Sequence, residues 1–375
     1  MGNYYFTAKN LCVGYDGKPI IRDMEISLPK GEILTLIGPN GAGKSTVLKS
    51  IAGQLRLIGG IVCLEGDVLS EMKQNERAKK MSVVLTEKIK TELMNCMEVV
   101  ATGRYPYTGR FGMLSQQDRQ IVQEAMELVH VWEIKEQDFR KCSDGQKQRV
   151  MLARAICQQP EIIILDEPVS YLDICHKLEF LSVLQELKKK KGLTVIMSLH
   201  ELDLAERVSD KILCLKGELI EAFGTPGEVF RSGYIRQLYG ITVGSFDERN
   251  GNPELEKPDG MPEVFVIAGG GGGRAVYRRL QREKRAFLTG ILYENDLDYP
   301  VAEALAAEVI TAKAFEPMPE CLYMQARQRM DSCDEVICTK NKFGSLEQFN
   351  EKLLHYAEET GKRIEYVECC DIWQR

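Results

Sequence analysis

The stretch GPNGAGKST, from Gly38 to Thr46, constrains this chain more than any other. It follows the apolar run EILTLI and precedes VLKSIAG, so it lies between a strand and a helix and satisfies G-x-x-x-x-G-K-[ST] in the context that pattern requires. Gly38, Gly41 and Gly43 let consecutive backbone N–H groups turn inward as an anion nest, with Asn40 and Thr46 in the same loop. The helix N-terminus adds partial positive charge. Lys44 has the reach for β- and γ-phosphates, and the Ser45 hydroxyl suits Mg²⁺.

The rest of the first half has the matching architecture. EILTLIG, IIILDEP, LTVIMSLH and KILCLKGELI are short β-like runs separated by helical stretches, which predicts an α/β domain with a largely parallel sheet. A length of 375 residues exceeds one typical domain. FDERNGNPELEKPDGMP, from Phe246 to Pro262, is rich in Pro, Gly and charge and reads as a linker. The expected boundaries are 1–243 for the first domain, 244–262 for the linker and 263–375 for a second domain. In that second domain EVFVIAGGGGG, AFLTGIL, EVITA, DEVICT and RIEYVE alternate with helices. This predicts a small three-layer α/β domain, Rossmann-like or flavodoxin-like.

Three further features of the first half bear on phosphate chemistry. EIIILDEP ends a fully apolar strand in two adjacent carboxylates, Asp166 and Glu167, a costly arrangement unless a cation or a reacting water uses them. One carboxylate suits the shell of Mg²⁺, while the next suits a general base. His200 ends another apolar strand, LTVIMSLH, where a neutral imidazole can meet a terminal phosphate. KCSDGQKQRVMLARA places Ser143, Gly145 and Gln146 at the start of a helix, a turn that on its own reads only as an N-cap.

The order of these pieces resembles the nucleotide-binding subunit of an ABC transporter, over about residues 4 to 242. The resemblance implies an ABC-type ATPase domain with a helical subdomain, with ATP and Mg²⁺ as its ligands. It also implies a head-to-tail dimer in which Ser143, Gly145 and Gln146 of one copy close over the γ-phosphate held by the other. By the same resemblance Tyr15, in VGYDGKP, stacks on adenine and Asp166 holds Mg²⁺ through water. Glu167 is the general base, His200 the γ-phosphate switch, and Asp173, in SYLD, communicates across the dimer. Two positions depart from the family pattern. Asp144 stands where glycine is usual, and Glu87 stands where relatives have a glutamine that ligates Mg²⁺ and senses the membrane partner.

MEVVATGRYPYTGRFG, with GYDGKP and FGTPGEVF, resembles the branch that imports iron–siderophore chelates, haem and cobalamin. The partners this implies are membrane-spanning permease subunits and, indirectly, an extracytoplasmic binding protein. The chain would sit at the cytoplasmic face of the membrane, docked through the helical subdomain from about Glu87 to Arg140. An ABC exporter subunit shares the same catalytic motifs and stays open. A non-transport ABC ATPase would usually show two cassettes, a long coiled coil or zinc-binding cysteines, none of which is evident.

Composition narrows the setting. A net charge of −6 disfavours a nucleic-acid partner reached by bulk electrostatics. The 12 cysteines include no CxxC pair, which predicts a reduced chain with buried thiols. MGNYYFTAKN lacks the basic flank and apolar core of a signal peptide, and no apolar run approaches the roughly 18–20 residues of a membrane span.

In the second domain, the glycines from Gly269 to Gly273 lie between a strand and a helix, a geometry that suits an anion at a helix N-terminus. Glu294, Asp296 and Asp298 follow the next strand, where ligand-facing loops sit in such sheets. Three readings remain open: regulatory ligand binding, a dimerisation or docking module, and an enzyme. No nucleophile–base pair speaks for the last.

Overall fold

The computed structural model describes residues 4–85, 93–109, 112–231, 233–247 and 252–367. Backbone contacts divide the chain into two units, Met1–Tyr239 and Gly240–Arg375.

The first unit opens with β1 (Phe6–Tyr15) and β2 (Lys18–Leu28), an antiparallel hairpin turning at Asp16-Gly17. Both turn residues have positive φ, 50° and 75°, which matches the twist of a two-residue hairpin loop. Strand β3 (Ile33–Ile37) belongs to a different sheet, whereas β4 (Gly59–Leu64) and β5 (Asp67–Val68) join the hairpin in the order β2-β1-β4-β5.

The second sheet adds β6 (Met81–Val84), β7 (Ile162–Leu165), β8 (Thr194–Ser198), β9 (Lys211–Lys216) and β10 (Leu219–Gly224) to β3, in the order β10-β9-β3-β8-β7-β6. All its pairings are parallel except that of β10 with β9. Strands β3, β7 and β8 are buried along their whole length, as their near-continuous Ile, Leu and Val runs require of strands covered on both faces.

Helix α1 (Lys44–Ile51) follows β3, and α2 (Gln74–Lys80) precedes β6. Helices α3 (Cys96–Ala101), α4 (Gln116–Leu128) and α5 (Asp144–Cys157) pack on one another as a helical subdomain. Arg104, only 4% exposed, ties it together by donating to Asp118 Oδ1 at 2.8 Å and to the Cys157 carbonyl at 2.9 Å. The unit is completed by α6 (Ile174–Lys191), α7 (Leu202–Val208), α8 (Pro226–Val229) and α9 (Tyr234–Tyr239). The last turn of α6 carries four lysines that complement its dipole, and it stops at Gly192 in the left-handed conformation.

The second unit begins with β11 (Ser245–Asp247) paired antiparallel with β12 (Asn252–Glu254). This pairing lies inside the stretch expected as a linker. Three residues a side are too few to leave a periodic pattern, and Pro253 is tolerated because the sheet is only two strands wide. A parallel sheet follows: β13 (Val264–Ile267), β14 (Phe287–Tyr293), β15 (Glu308–Ala312), β16 (Glu335–Cys338) and β17 (Arg363–Tyr366), in the order β15-β14-β13-β16-β17. Counted from its own first strand this is the Rossmann order, which decides between the two expected topologies. One face carries α10 (Arg274–Arg282) and α11 (Tyr299–Leu305), and the other α12 (Glu320–Asp331) and α13 (Gln348–Glu359). Tyr277, fully buried, stacks on Phe287 at 5.2 Å and pairs its hydroxyl with Thr289 Oγ1 at 2.8 Å.

Candidate functional site

The loop from Gly38 to Gly43 joins β3 to α1 and depends on glycine at both ends. A Cβ on Gly38 would lie 2.3 Å from the Leu215 carbonyl of β9, and Gly43, the N-cap of α1, has a φ of 90°. Lys44, 5% exposed, curls back on the loop, donating to the carbonyls of Gly38 at 2.7 Å and Pro39 at 3.1 Å. Burial pulls its ammonium below the usual lysine range, while the charges of Glu167 and Asp166 oppose that shift. At the end of β1, half-exposed Tyr15 receives a long bond of 3.5 Å from Thr46 Oγ1, so the aromatic stands at the edge of the loop. Asn40 and Gly41 are exposed on the loop surface.

Two strands converge on this loop. Ser45 Oγ donates to Asp166 Oδ1 at 3.1 Å, joining the start of α1 to the end of β7. Asp166 is 2% exposed, and its N–H donates to the Val84 carbonyl of β6 at 2.9 Å. A hydroxyl facing a buried carboxylate oxygen is a donor set for a hard cation, and Mg²⁺ bound with a nucleotide needs only one or two carboxylates from protein. These residues therefore fit it. Glu167 follows with a φ of 49°, in the left-handed region that glutamate seldom occupies. Its Oε1 lies 2.5 Å from His200 Nε2, beyond the end of β8.

Three residues here escaped the reading of the sequence. Ser198 Oγ donates to Asp166 Oδ1 at 2.8 Å and accepts from the Glu167 N–H at 2.9 Å. Gln148 Nε2 of α5 donates to the Glu167 carbonyl at 3.3 Å. Tyr239 Oη accepts from the Gly38 N–H at 3.1 Å, and burial pushes its phenol up to about 12. A hydroxyl closing the apolar run TVIMS was the one visible signal; nothing marked Gln148 or Tyr239.

Ser143, Gly145 and Gln146 stand at the start of α5. Ser143 Oγ accepts from the Gln146 N–H at 3.2 Å, and Gln146 Oε1 accepts from the Ser143 N–H at 2.9 Å. That reciprocal capping box leaves an exposed serine at a helix N-terminus. Asp144 is mostly exposed and lies 3.9 Å from Lys147 Nζ. Asp173 caps α6, accepting from the His176 N–H at 2.9 Å, and these bonds hold its carboxyl below the usual range. Glu87 lies outside the described residues.

In the second unit the glycine run behaves differently from the sequence expectation. The N–H groups of Gly271, Gly273 and Arg274 donate to Asp298 at 3.2, 2.8 and 3.2 Å, and that of Gly270 donates to Asp296 at 3.0 Å. The anion at this helix N-terminus is thus the chain's own fully buried carboxylate. Burial nonetheless holds Asp298 above the usual carboxylate range, against the pull of those N–H bonds. Glu294 is exposed on the same loop.

Known proteins share the first unit's design. A profile described as ABC transporter matches residues 21–170, and one described as the MJ0874 family matches residues 287–374. An ABC transporter ATP-binding protein of Methanocaldococcus jannaschii is 39% identical over 285 residues, covering 76% of this chain and 98% of that protein. The iron(3+)-hydroxamate import ATP-binding protein FhuC of Bacillus subtilis is 37% identical over 252 residues, covering 67% of this chain and 92% of that protein. Among solved structures, a chain of an inward-facing transporter assigned to the metal-chelate type superimposes with a TM-score of 0.54. It is 25% identical, covering 63% of this chain and 89% of that one.

Proposed function

From the premise that this chain belongs to the ABC transporter family of ATP-binding proteins, we propose that it powers import of a metal chelate: an iron–siderophore complex, haem or cobalamin. Its ATPase cycle would drive permease subunits in the membrane, served by an extracytoplasmic binding protein. The observation that carries the ATPase at the centre of this reading is the bond from Ser45 to Asp166, which brings the phosphate loop and the acid pair into one site, while the likeness to an iron(3+)-hydroxamate import protein supports the cargo and direction.

The chain's own groups have clear tasks there. The loop N–H groups and Lys44, released from the Gly38 and Pro39 carbonyls, take the phosphate oxygens. Tyr15 offers a face to adenine. Ser45 and Asp166 would hold Mg²⁺, which would supply positive charge against the phosphates. Glu167 accepts a proton from water as the water oxygen bonds to the γ-phosphorus and the bond to the β-phosphate oxygen breaks, leaving ADP and phosphate. His200 orients Glu167 and turns to the γ-phosphate when ATP is present. Ser143, Gly145 and Gln146 meet the γ-phosphate of a facing copy, so that ATP holds the two-fold dimer together and hydrolysis releases it. Asp173, next to that face, relays between the copies.

Placement at the cytoplasmic face of the membrane follows from docking on a permease. Among the described residues, no helix is long and apolar enough to cross a membrane. Co-purification of the full chain with its permease, followed by chelate uptake into vesicles, tests the reading. ATP-dependent uptake supports it, and ATP-dependent efflux of the same cargo would make the chain an exporter subunit.

A further inference from the structure

The parallel register of β7 and β8 pairs Leu165 with Met197, so the next residues along, Asp166 and Ser198, emerge side by side. Ser198 is fully buried. A buried serine hydroxyl needs a donor and an acceptor, and many find them in the nearest carbonyl. Here both go to the acid pair: the hydroxyl donates to Asp166 Oδ1 and accepts from the Glu167 N–H.

Each bond constrains something hydrolysis needs. Glu167 sits at a φ of 49°, which costs a non-glycine residue energy unless its neighbours hold it there. Ser198 grips its N–H and Gln148 its carbonyl, so the peptide groups on both sides of the glutamate Cα are held. Asp166 Oδ1 accepts from Ser45 as well as Ser198. Were Ser45 to give its oxygen to Mg²⁺, Ser198 would still hold the carboxylate. One hydroxyl therefore sets the direction of the metal-holding acid and the conformation of the acid that takes the proton.

We propose that Ser198 is a positioning residue of this ATP site, coupling the orientation of Asp166 to that of Glu167 through a single hydroxyl. The inference rests on the roles given above to Asp166 and Glu167.

The test compares Ser198→Thr with Ser198→Val in the full chain, two variants of equal bulk that differ in the hydroxyl. Fold is checked by circular dichroism, ADP affinity is measured in chelator, Mn²⁺ affinity with ADP is read by electron paramagnetic resonance, and turnover is assayed with MgATP. Loss of a hydrogen-bond partner that holds a metal-binding carboxylate typically costs about 10–100-fold. The valine variant is expected to lose about tenfold or more in kcat and in Mn²⁺ affinity, with metal-free ADP affinity unchanged, while threonine restores both. Equal behaviour of the two variants, or a valine variant that loses metal-free ADP binding as badly, overturns the proposal. Should the added methyl prevent folding, Ser198→Ala against the native chain makes the same comparison. Glu167→Gln serves as the control. Native turnover in that variant sinks the assignment of the site itself, whereas an inactive control beside equal Ser198 variants sinks only this inference.

Discussion

His200 Nε2 lies 2.5 Å from Glu167 Oε1, so the second residue past the end of β7 meets the second residue past the end of β8. The carboxylate is thereby turned toward the imidazole. Removing the charge of Glu167 leaves the phosphate loop untouched. Glu167→Gln is expected to keep near-native ATP affinity and to lose about 10²–10⁴-fold in kcat, the usual share of a general base. Single-turnover assays beside equilibrium binding check it, and unchanged turnover refutes the role.

Lys44 is buried with its ammonium bonded to the loop's own carbonyls. Phosphate oxygens in place of those carbonyls would offset the cost that burial imposes on the ammonium. Lys44→Ala should weaken ATP binding by about 1.5–3 kcal/mol, the scale of hydrogen bonds to charged groups, while leaving the adenine contact at Tyr15. Isothermal titration with ATP and with adenosine separates the two.

Ser143 makes a capping box and then has an exposed face. Ser143→Ala should cost about 1 kcal/mol of stability for the cap. A larger effect is expected on ATP-driven dimerisation in a Glu167→Gln background, with ATP binding to the monomer preserved. Analytical ultracentrifugation with and without ATP decides this.

Asp144 carries a negative charge beside the same helix start, with Lys147 only 3.9 Å away as a partial counter-charge. Asp144→Gly should tighten ATP-dependent dimerisation several-fold at low salt, with the gain shrinking as ionic strength rises. A dimer constant indifferent to salt and substitution would show that the carboxylate points away from the nucleotide.

Asp298 takes the N–H groups of Gly271, Gly273 and Arg274. Asp298→Ala leaves these without their acceptor and should destabilise the second unit by about 1–3 kcal/mol. Burial raises the folded pKa of this carboxyl above its unfolded value. Its contribution is therefore full below the unfolded value, near 4, and is lost as pH rises through the folded value. The gap between native and variant melting temperatures should narrow as pH rises from about 4 toward 7. A gap that widens would contradict the sign.

Much of this protein was legible in its amino acids because the signals are local. A Gly-rich turn between an apolar strand and a helix, two acids ending a β-like run, and Ser143 three residues before Gln146 each lie in one short segment. The strands β3, β7 and β8 were legible as continuous apolar runs, and β13 to β17 as five short β-like stretches alternating with helices. The pairing of β11 with β12 was not, since its bonds satisfy backbone groups rather than an apolar face.

Sequence alone picked out the candidates for phosphate contact, because chain connectivity keeps the members of each motif within a few residues. Only the tertiary structure decided that Ser198 joins Asp166 to Glu167, that Tyr239 caps the Gly38 N–H, and that Asp298 fills the second glycine loop. Those partners lie 25 or more residues apart. Hydrogen bonds of that range exist only where strand register and strand order bring two ends together. A Rossmann order of five parallel strands set the last of them, and the pairing of β7 with β8 the first.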